Sequence, residues 1–190
     1  MPCASVITKN IARNCAVVAA KGVGEIVWLG MKDAQGIAAT FDSVTPSIVT
    51  GLTLSAGQKL FSYEGHNYSN DVETNLVKTD YDTNFAQKIT IVIFDRGPQT
   101  SLEIKALAQR VDLVVIYKKN QGDYRIIGLQ TGARMTVYQA KENDDNLKGA
   151  HVITLEAAFE QDLPFHFIHT ATVGGLPDTA SYLAGLTSPS

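Results

Sequence analysis

The acidic and amide residues between Asp80 and Asn84 come closest to a metal-binding motif. Asp80, Asp82 and Asn84 alternate as the first three ligands of an EF-hand calcium loop do. That loop also needs glycine at its sixth position, for a sharp turn, and glutamate at its twelfth, which binds the ion through both oxygens. The sequence places Phe85 and Ile91 there. It therefore predicts no calcium site, and these residues are typical of a turn.

The histidines and serines form no recognisable catalytic or metal-binding pattern. His166 and His169 are three residues apart, but the segment after Pro164 is predicted to be extended, so the two rings point apart. No cysteine or acidic residue near them completes a ligand set, and no serine lies in a G-x-S-x-G motif. We therefore expect a protein that is not an enzyme and that has no metal or other cofactor.

The elements that position the acidic turn form a predicted β-hairpin. The segment 67–94 contains neither glycine nor proline, and its residues alternate in polarity on both sides of 80–84. A period of two predicts strands, and short polar residues between two strands predict a turn. The end of the second strand, 89–94, is apolar on both faces, so we expect it to enter the core.

The rest of the chain is predicted to form strands around one helix. The sequence predicts a helix over about 99–110, beginning with a Thr100–Glu103 capping box. The segment 32–54 is predicted to be weakly structured, with a short strand around Val49 and 52–54 as an alternative. Strands are predicted at 25–31, 59–63, 112–118, 124–130, 134–139 and 151–159. This order predicts an α+β fold that is mainly antiparallel β, with one α-helix packed against it.

Composition excludes several classes of protein. The chain has 190 residues, of which 45% are hydrophobic, and a net charge of −3. A protein that binds nucleic acid regardless of sequence normally carries a basic surplus. No apolar run approaches the roughly 18 residues of a membrane span, and the stretch 15–20 is short for a secretory signal. We therefore expect no membrane segment and synthesis in a cytoplasm. Cys3 and Cys15 are expected to be reduced thiols.

The block 25–159 resembles tail-tube-like structural proteins of tailed bacteriophages, in particular those of crAss-like and other Bacteroidetes-infecting phages. The resemblance rests on the order of the predicted strands and on the helix 101–108, which follows the strand 85–94. It implies a sandwich or barrel with a long hairpin. The implied function is a virion protein that forms a homo-oligomeric ring or tube, connects portal to tail and serves as a conduit for DNA ejection.

This resemblance sets the expected organisation and partners. We expect an N-terminal arm (1–24), a tail-tube-like β domain (25–169) and an extended C-terminal tail (170–190). The expected partners are further copies in a six- or twelve-fold ring, adjacent tail, portal or ring proteins, and DNA in transient passage. The expected location is the virion tail.

Two groups of residues are predicted to serve assembly. The hairpin is expected to form the ring and a weakly acidic lumen through Asp71, Glu73, Leu76, Lys78, Asp80, Asp82, Phe85 and Lys88. The tail 170–190 contains no lysine or arginine but keeps several apolar residues. It is expected to lie on a neighbouring subunit through Val173, Leu176, Tyr182, Leu183 and Leu186.

Two other functional interpretations stay open. One is a non-enzymatic β-rich binding module for carbohydrate or protein, which the many threonine, asparagine and tyrosine residues would suit. The only tryptophan, Trp28, lies in a core-like strand rather than on an exposed aromatic surface. The other is a small enzyme whose site is assembled only in space. Concentration-dependent assembly would separate the virion reading from both.

Overall fold

A computed structural model describes residues 22–65, 68–79, 82–140, 149–170 and 178–189. The predictions for residues 1–21, Asp80, Val173 and Leu176 lie outside these ranges.

The described chain folds into two β-sheets with a few helices, and it is 15% helical. Its helices are α1 (Lys32–Gln35), α2 (Pro98–Ala108) and α3 (Thr179–Leu186). Its strands are β1 (Val23–Met31), β2 (Ala38–Phe41), β3 (Ile48–Thr53), β4 (Phe61–Glu64), β5 (Asp71–Lys78), β6 (Thr83–Ile93), β7 (Leu113–Lys119), β8 (Tyr124–Ile127), β9 (Arg134–Ala140), β10 (His151–Glu160) and β11 (Phe165–Phe167). The predicted mainly antiparallel, β-rich α+β fold is confirmed at this level.

The strands divide unequally between the sheets. The larger sheet has seven strands in the order β2-β3-β11-β8-β7-β1-β4, and the smaller has four in the order β5-β6-β10-β9. All neighbours are antiparallel except β11 and β3, which are parallel. None of the helices in the described ranges combines the length and the hydrophobicity that crossing a bilayer requires.

The first core lies between the two sheets. Alternate residues of β6 and β10 point into it, including the fully buried Ile89, Ile91 and Ile153. They meet residues of β1 and β7, and α2 covers one end of this core with Ile104 and Leu107. The face of the four-stranded sheet that points into this core is called the inner face below, and the opposite one the outer face.

The second core lies on the other side of the seven-stranded sheet. Val114 and Ile116 of β7 point into it, while Val115 and Tyr117 point into the first core. Strand β7 is therefore apolar over 113–117 because both of its faces are covered. Helix α3 covers the second core with Leu183, which is 0% exposed.

Helix α2 begins differently from the sequence prediction. Its N-cap is Gly97 and its first residue is Pro98, so Thr100 lies inside the helix and the capping box is wrong. Proline suits this position because its missing N–H would have no partner there. Thr100 instead donates its hydroxyl hydrogen to the carboxylate of Asp95, which also accepts from the Gly97 N–H. These two hydrogen bonds lower the pKa of Asp95.

Other boundaries also differ. The segment 32–54, predicted to be weakly structured, forms α1, β2 and β3. The predicted arm ends earlier than residue 24, because Val23 is already a buried residue of β1. The single predicted helix is joined by α1 and α3 within the described residues.

Candidate assembly surface

The predicted hairpin is present in the structure. Strand β5 pairs with β6 from Asp71 opposite Thr90 to Lys78 opposite Thr83. The second strand is not an uncovered edge, however, because β10 pairs with β6 along most of its other side, from Phe85 to Ile93. Only β5 leaves one edge of the hairpin without a partner strand within the described fold.

The side chains predicted to form a lumen lie on two different faces. Asp71 and Glu73 of β5 and Lys88 of β6 lie on the outer face, since side chains alternate along each strand and their neighbours Val72 and Ile89 point inward. By the same alternation, Leu76, Lys78 and Phe85 lie on the inner side. Leu76 is nevertheless 61% exposed. These six residues are therefore divided between the two faces of the sheet, and a lumen formed by the hairpin stays a prediction.

The described residues of the hairpin tip are held by local hydrogen bonds. The Asp82 carboxylate accepts from the Thr83 N–H (2.8 Å) and from the side-chain amide of Asn84 (2.9 Å). The Thr79 N–H donates to the Asp82 carbonyl at 2.9 Å. Asp82 therefore shapes the turn.

A row of alternating charges crosses the outer face from one edge of the sheet to the other. Cross-strand register places Glu73 opposite Lys88, Lys88 opposite Glu156, and Glu156 opposite Arg134. The Lys88 Nζ lies 3.7 Å from Glu156 Oε1. Arg134 forms no ion pair with any residue in the described part of the chain. We call Glu73, Lys88, Glu156 and Arg134 the charged row.

The next row of the outer face is polar but mostly uncharged. Asp71 lies opposite Thr90, Thr90 opposite Thr154, and Thr154 opposite Val137. The hydroxyl oxygens of Thr90 and Thr154 are 3.1 Å apart. The two rows together carry the carboxylates of Asp71, Glu73 and Glu156 against the cations of Lys88 and Arg134. Apart from Val137, these two rows are therefore hydrophilic, and they carry one net negative charge.

The edges of the two sheets differ in how well they are protected. The seven-stranded sheet ends in β2 and β4, which have only four residues each. The four-stranded sheet ends in β5, with eight residues, and β9, with seven. Strand β9 also exposes Val137 (41%) and Tyr138 (51%) and contains no proline or lysine. Short edges, charged or proline residues and β-bulges deter pairing with other chains. Strand β9 has the charge of Arg134 and a register shift at Thr136, but it is long and exposes two apolar side chains.

Three of the C-terminal residues predicted to contact a neighbouring subunit, Tyr182, Leu183 and Leu186, pack on their own chain. The Tyr182 hydroxyl donates to the Leu52 carbonyl (2.6 Å) and accepts from the Leu52 N–H (3.0 Å). The His169 ring stacks on Tyr182 with the ring centroids 3.8 Å apart. Leu183 is fully buried in the second core, and Leu186 packs against it. The expectation of an extended tail is wrong for 179–186, and in this arrangement Tyr182, Leu183 and Leu186 are occupied within the subunit.

A cleft also lies at one open end of the sandwich. This cleft, of about 450 Å³, is lined by Thr74, Tyr117, Lys119 and Arg125, among others. Arg125 donates to the Pro164 carbonyl at 3.3 Å, but its buried Nε has no partner in the described structure. Burial raises the pKa of Tyr117 to about 12, and the nearby Arg125 opposes that shift. The cleft thus combines a cation with a neutral phenol.

Nothing in the described part of the chain groups three or more histidine, cysteine or acidic side chains as a metal site would. Searches of protein-family models, curated proteins and solved structures give no significant match. Functional conclusions therefore depend on the geometry of this chain and on the resemblance seen in its sequence.

Sequence reasoning identified one half of this surface and missed the other. The acidic strand β5 stood out because it alternates without glycine or proline. Glu156 and Arg134 lie far from it in sequence, and only the strand order brings them into the same row. The apolar residues of β9 within an otherwise polar strand were the available signal for a second unprotected edge.

Proposed function

We propose that this chain is a structural protein of a bacteriophage tail that assembles with copies of itself into a ring or tube through which DNA passes. The observation that carries the proposal is the pair of long edges on one four-stranded sheet. Such edges are prone to pair with other chains, and closure into a ring would pair part of each edge with a neighbouring copy.

The direction of the strands supports a closed assembly of identical subunits. Neighbours in the four-stranded sheet are all antiparallel, so β5 and β9 run in opposite directions. If β9 of one copy lies beside β5 of the next, the antiparallel order continues without a break. This contact joins two different surfaces, and such head-to-tail contacts generate rings when the rotation closes.

The chemistry of the outer face suits a passage for DNA. A continuous sheet of this kind would present that face to one side of the ring. Its rows of threonine and alternating charges carry a slight negative excess. Phosphate binding depends on clustered lysine and arginine, so such a surface would hold DNA weakly and let it slide. The acidic character expected of the hairpin would then come from Asp71 and Glu73.

Assembly can be tested with the purified full-length chain. Light scattering should show a mass that rises with concentration to a defined multiple of 20.5 kDa, and negative-stain images of that fraction should show rings or tubes with a central hole. A protein that remains monomeric at millimolar concentration would contradict self-assembly.

The cleft at the open end of the sandwich favours a second candidate function, a binding module without catalytic activity. Lys119 and Arg125 line the cleft beside the phenol of Tyr117, and an anionic or carbonyl-bearing ligand would accept hydrogen bonds from such donors. A monomer whose thermal stability rises on addition of an oligosaccharide or acidic peptide, and falls back in Arg125→Met, would favour this function over assembly.

A further inference from the structure

We infer that the contact between copies is made by β9 of one subunit and β5 of the next, with Arg134 beside Glu73 of the neighbouring copy. This inference rests on the proposed self-assembly and specifies the surfaces, the register and the ion pair that would form it. The occupant of each edge is a second copy of this chain.

The first argument is the pattern of the charged row. Across one subunit the signs alternate as Glu73, Lys88, Glu156, Arg134, that is negative, positive, negative, positive. A second copy placed in the same register adds Glu73 next to Arg134, and the alternation continues without interruption. The row is therefore self-complementary from edge to edge, which is what a heterologous contact between identical chains requires.

The second argument is that Arg134 is available. It is exposed at the edge of the sheet and forms no ion pair in the described part of the chain. Glu73 is exposed on the opposite edge, where its carboxylate accepts from the side-chain amide of Asn75 at 2.6 Å. A carboxylate can accept several hydrogen bonds, so this contact leaves room for a guanidinium.

The third argument is the fit of the neighbouring positions. Strand β9 has a register shift that leaves Thr136 without a register partner in β10. If this shift carries across the contact, Val72 of the second copy lies beside Met135 and Asp71 beside Val137. Val72 and Met135 both pack at the border of the first core, so their meeting would extend that core from one subunit to the next. The overlap is only about three residues, so one contact is weak. Each copy in a closed ring makes two such contacts, and closure stabilises the whole.

Charge reversal provides the test, because Glu73 and Arg134 cannot contact each other within one chain. Strands β6 and β10 separate them, and three strand spacings amount to about 14 Å. In Arg134→Glu alone two carboxylates would meet at every contact, and in Glu73→Arg alone two cations would meet. Each variant should raise the concentration for half-assembly roughly tenfold or more.

Mixing the two single variants gives the decisive result. In a ring where they alternate, the new glutamate of Arg134→Glu meets the new arginine of Glu73→Arg at one contact, and the native Arg134 and Glu73 meet at the next. An equimolar mixture should therefore assemble within about threefold of the wild-type concentration. The matched control is Lys59→Glu, which makes the same change of charge at an exposed residue before β4, in contact with the Gly185 carbonyl rather than with β5 or β9, and it should shift assembly less than twofold. Urea unfolding of each variant verifies that it is folded.

Cross-linking provides a second measurement that also detects weak assembly. With Cys3 and Cys15 replaced by serine, Glu73→Cys combined with Arg134→Cys should give a ladder of disulfide-linked oligomers on mild oxidation, since residues opposite each other on paired strands are close enough to bridge. Glu73→Cys with Lys59→Cys should give none, since Lys59 lies before β4 of the other sheet.

The outcomes separate the two proposals. Wild-type rings together with single variants that assemble normally and no ladder from the paired cysteines would overturn this interface and leave the proposed function standing. A wild-type chain that does not assemble, together with a double-cysteine variant that gives no ladder, would overturn both. Loss of assembly in each single variant, with recovery of assembly in their mixture, would support the interface.

Discussion

Replacing Leu183 with alanine should destabilise the subunit itself, because α3 is part of its core. Leu183 is 0% exposed among Val49, Leu52 and Ile116 of the second core. Removing a buried leucine side chain to alanine typically costs about 2–5 kcal/mol. The helix has eight residues, and isolated helices shorter than about 12–15 residues are marginal in water, so α3 depends on this packing.

The loss in free energy of unfolding cannot exceed the stabilisation that docking of α3 provides, because the helix can detach. The two hydrogen bonds between Tyr182 and Leu52 remain in the variant, as do those that join Leu60 to Leu186 and Ser188. If these contacts hold α3 in place, the full cost of the cavity appears in the free energy of unfolding. If they do not, the helix detaches and the loss equals the stabilisation that its docking provides. We expect a loss of about 2–3 kcal/mol, at the lower end of the range for such substitutions.

Urea unfolding monitored by the fluorescence of Trp28 is the appropriate assay, because this residue packs against the second core. Leu102→Ala is the matched control, since Leu102 is 61% exposed on α2, and it should change stability by less than about 0.5 kcal/mol. Equal unfolding curves for the two variants would refute the packing argument. Weakened assembly with unchanged unfolding of the monomer would instead indicate that α3 acts between subunits.

Two further substitutions test the local structure. Gly128→Ala should destabilise the protein more than Gly122→Ala in urea unfolding. Both glycines have positive φ, but only at Gly128 would an added Cβ lie 2.6 Å from the Leu113 carbonyl oxygen. Equal losses of stability in the two variants would contradict this. Asp112→Asn should cost about 1 kcal/mol at pH 7 by weakening the contact with Arg110, whose Nη2 lies 2.7 Å from the carboxylate. Burial raises the pKa of Asp112, but its hydrogen bonds from Arg110 and the Asp33 N–H outweigh burial and lower that pKa below its ordinary 3.8. The stability that this pair contributes is therefore present above about pH 4 and is lost as the pH falls through the lowered pKa, so the difference between wild type and variant should shrink there. A difference that grows with acidity would contradict the assignment.

The hairpin was predictable because its signal is local. Alternation over 71–78 and 83–93, without glycine or proline, leaves few structures other than two paired strands. Strand β7 was equally clear because it is apolar on both faces. These elements depend on the period of the sequence, which the backbone of a strand imposes directly.

The helix α3 was not predictable for the opposite reason. The segment 179–186 contains Gly185 and no charged residue, so nothing local favours a helix over an extended tail. Its helical form depends on Leu183 entering a core built largely by residues far earlier in the chain, such as Val49 and Leu52. The same distance in sequence hid the charged row, because Arg134 and Glu73 are related only through the order of four strands.

The most direct test of the account is a cryo-electron microscopy map of the assembled full-length protein. We predict a closed ring or tube in which the sheet β5-β6-β10-β9 continues from subunit to subunit and its outer face, with Thr90 and Thr154, lines the central pore. A ring lined by the seven-stranded sheet or by α3, or one whose subunits meet without β5 and β9, would contradict the account.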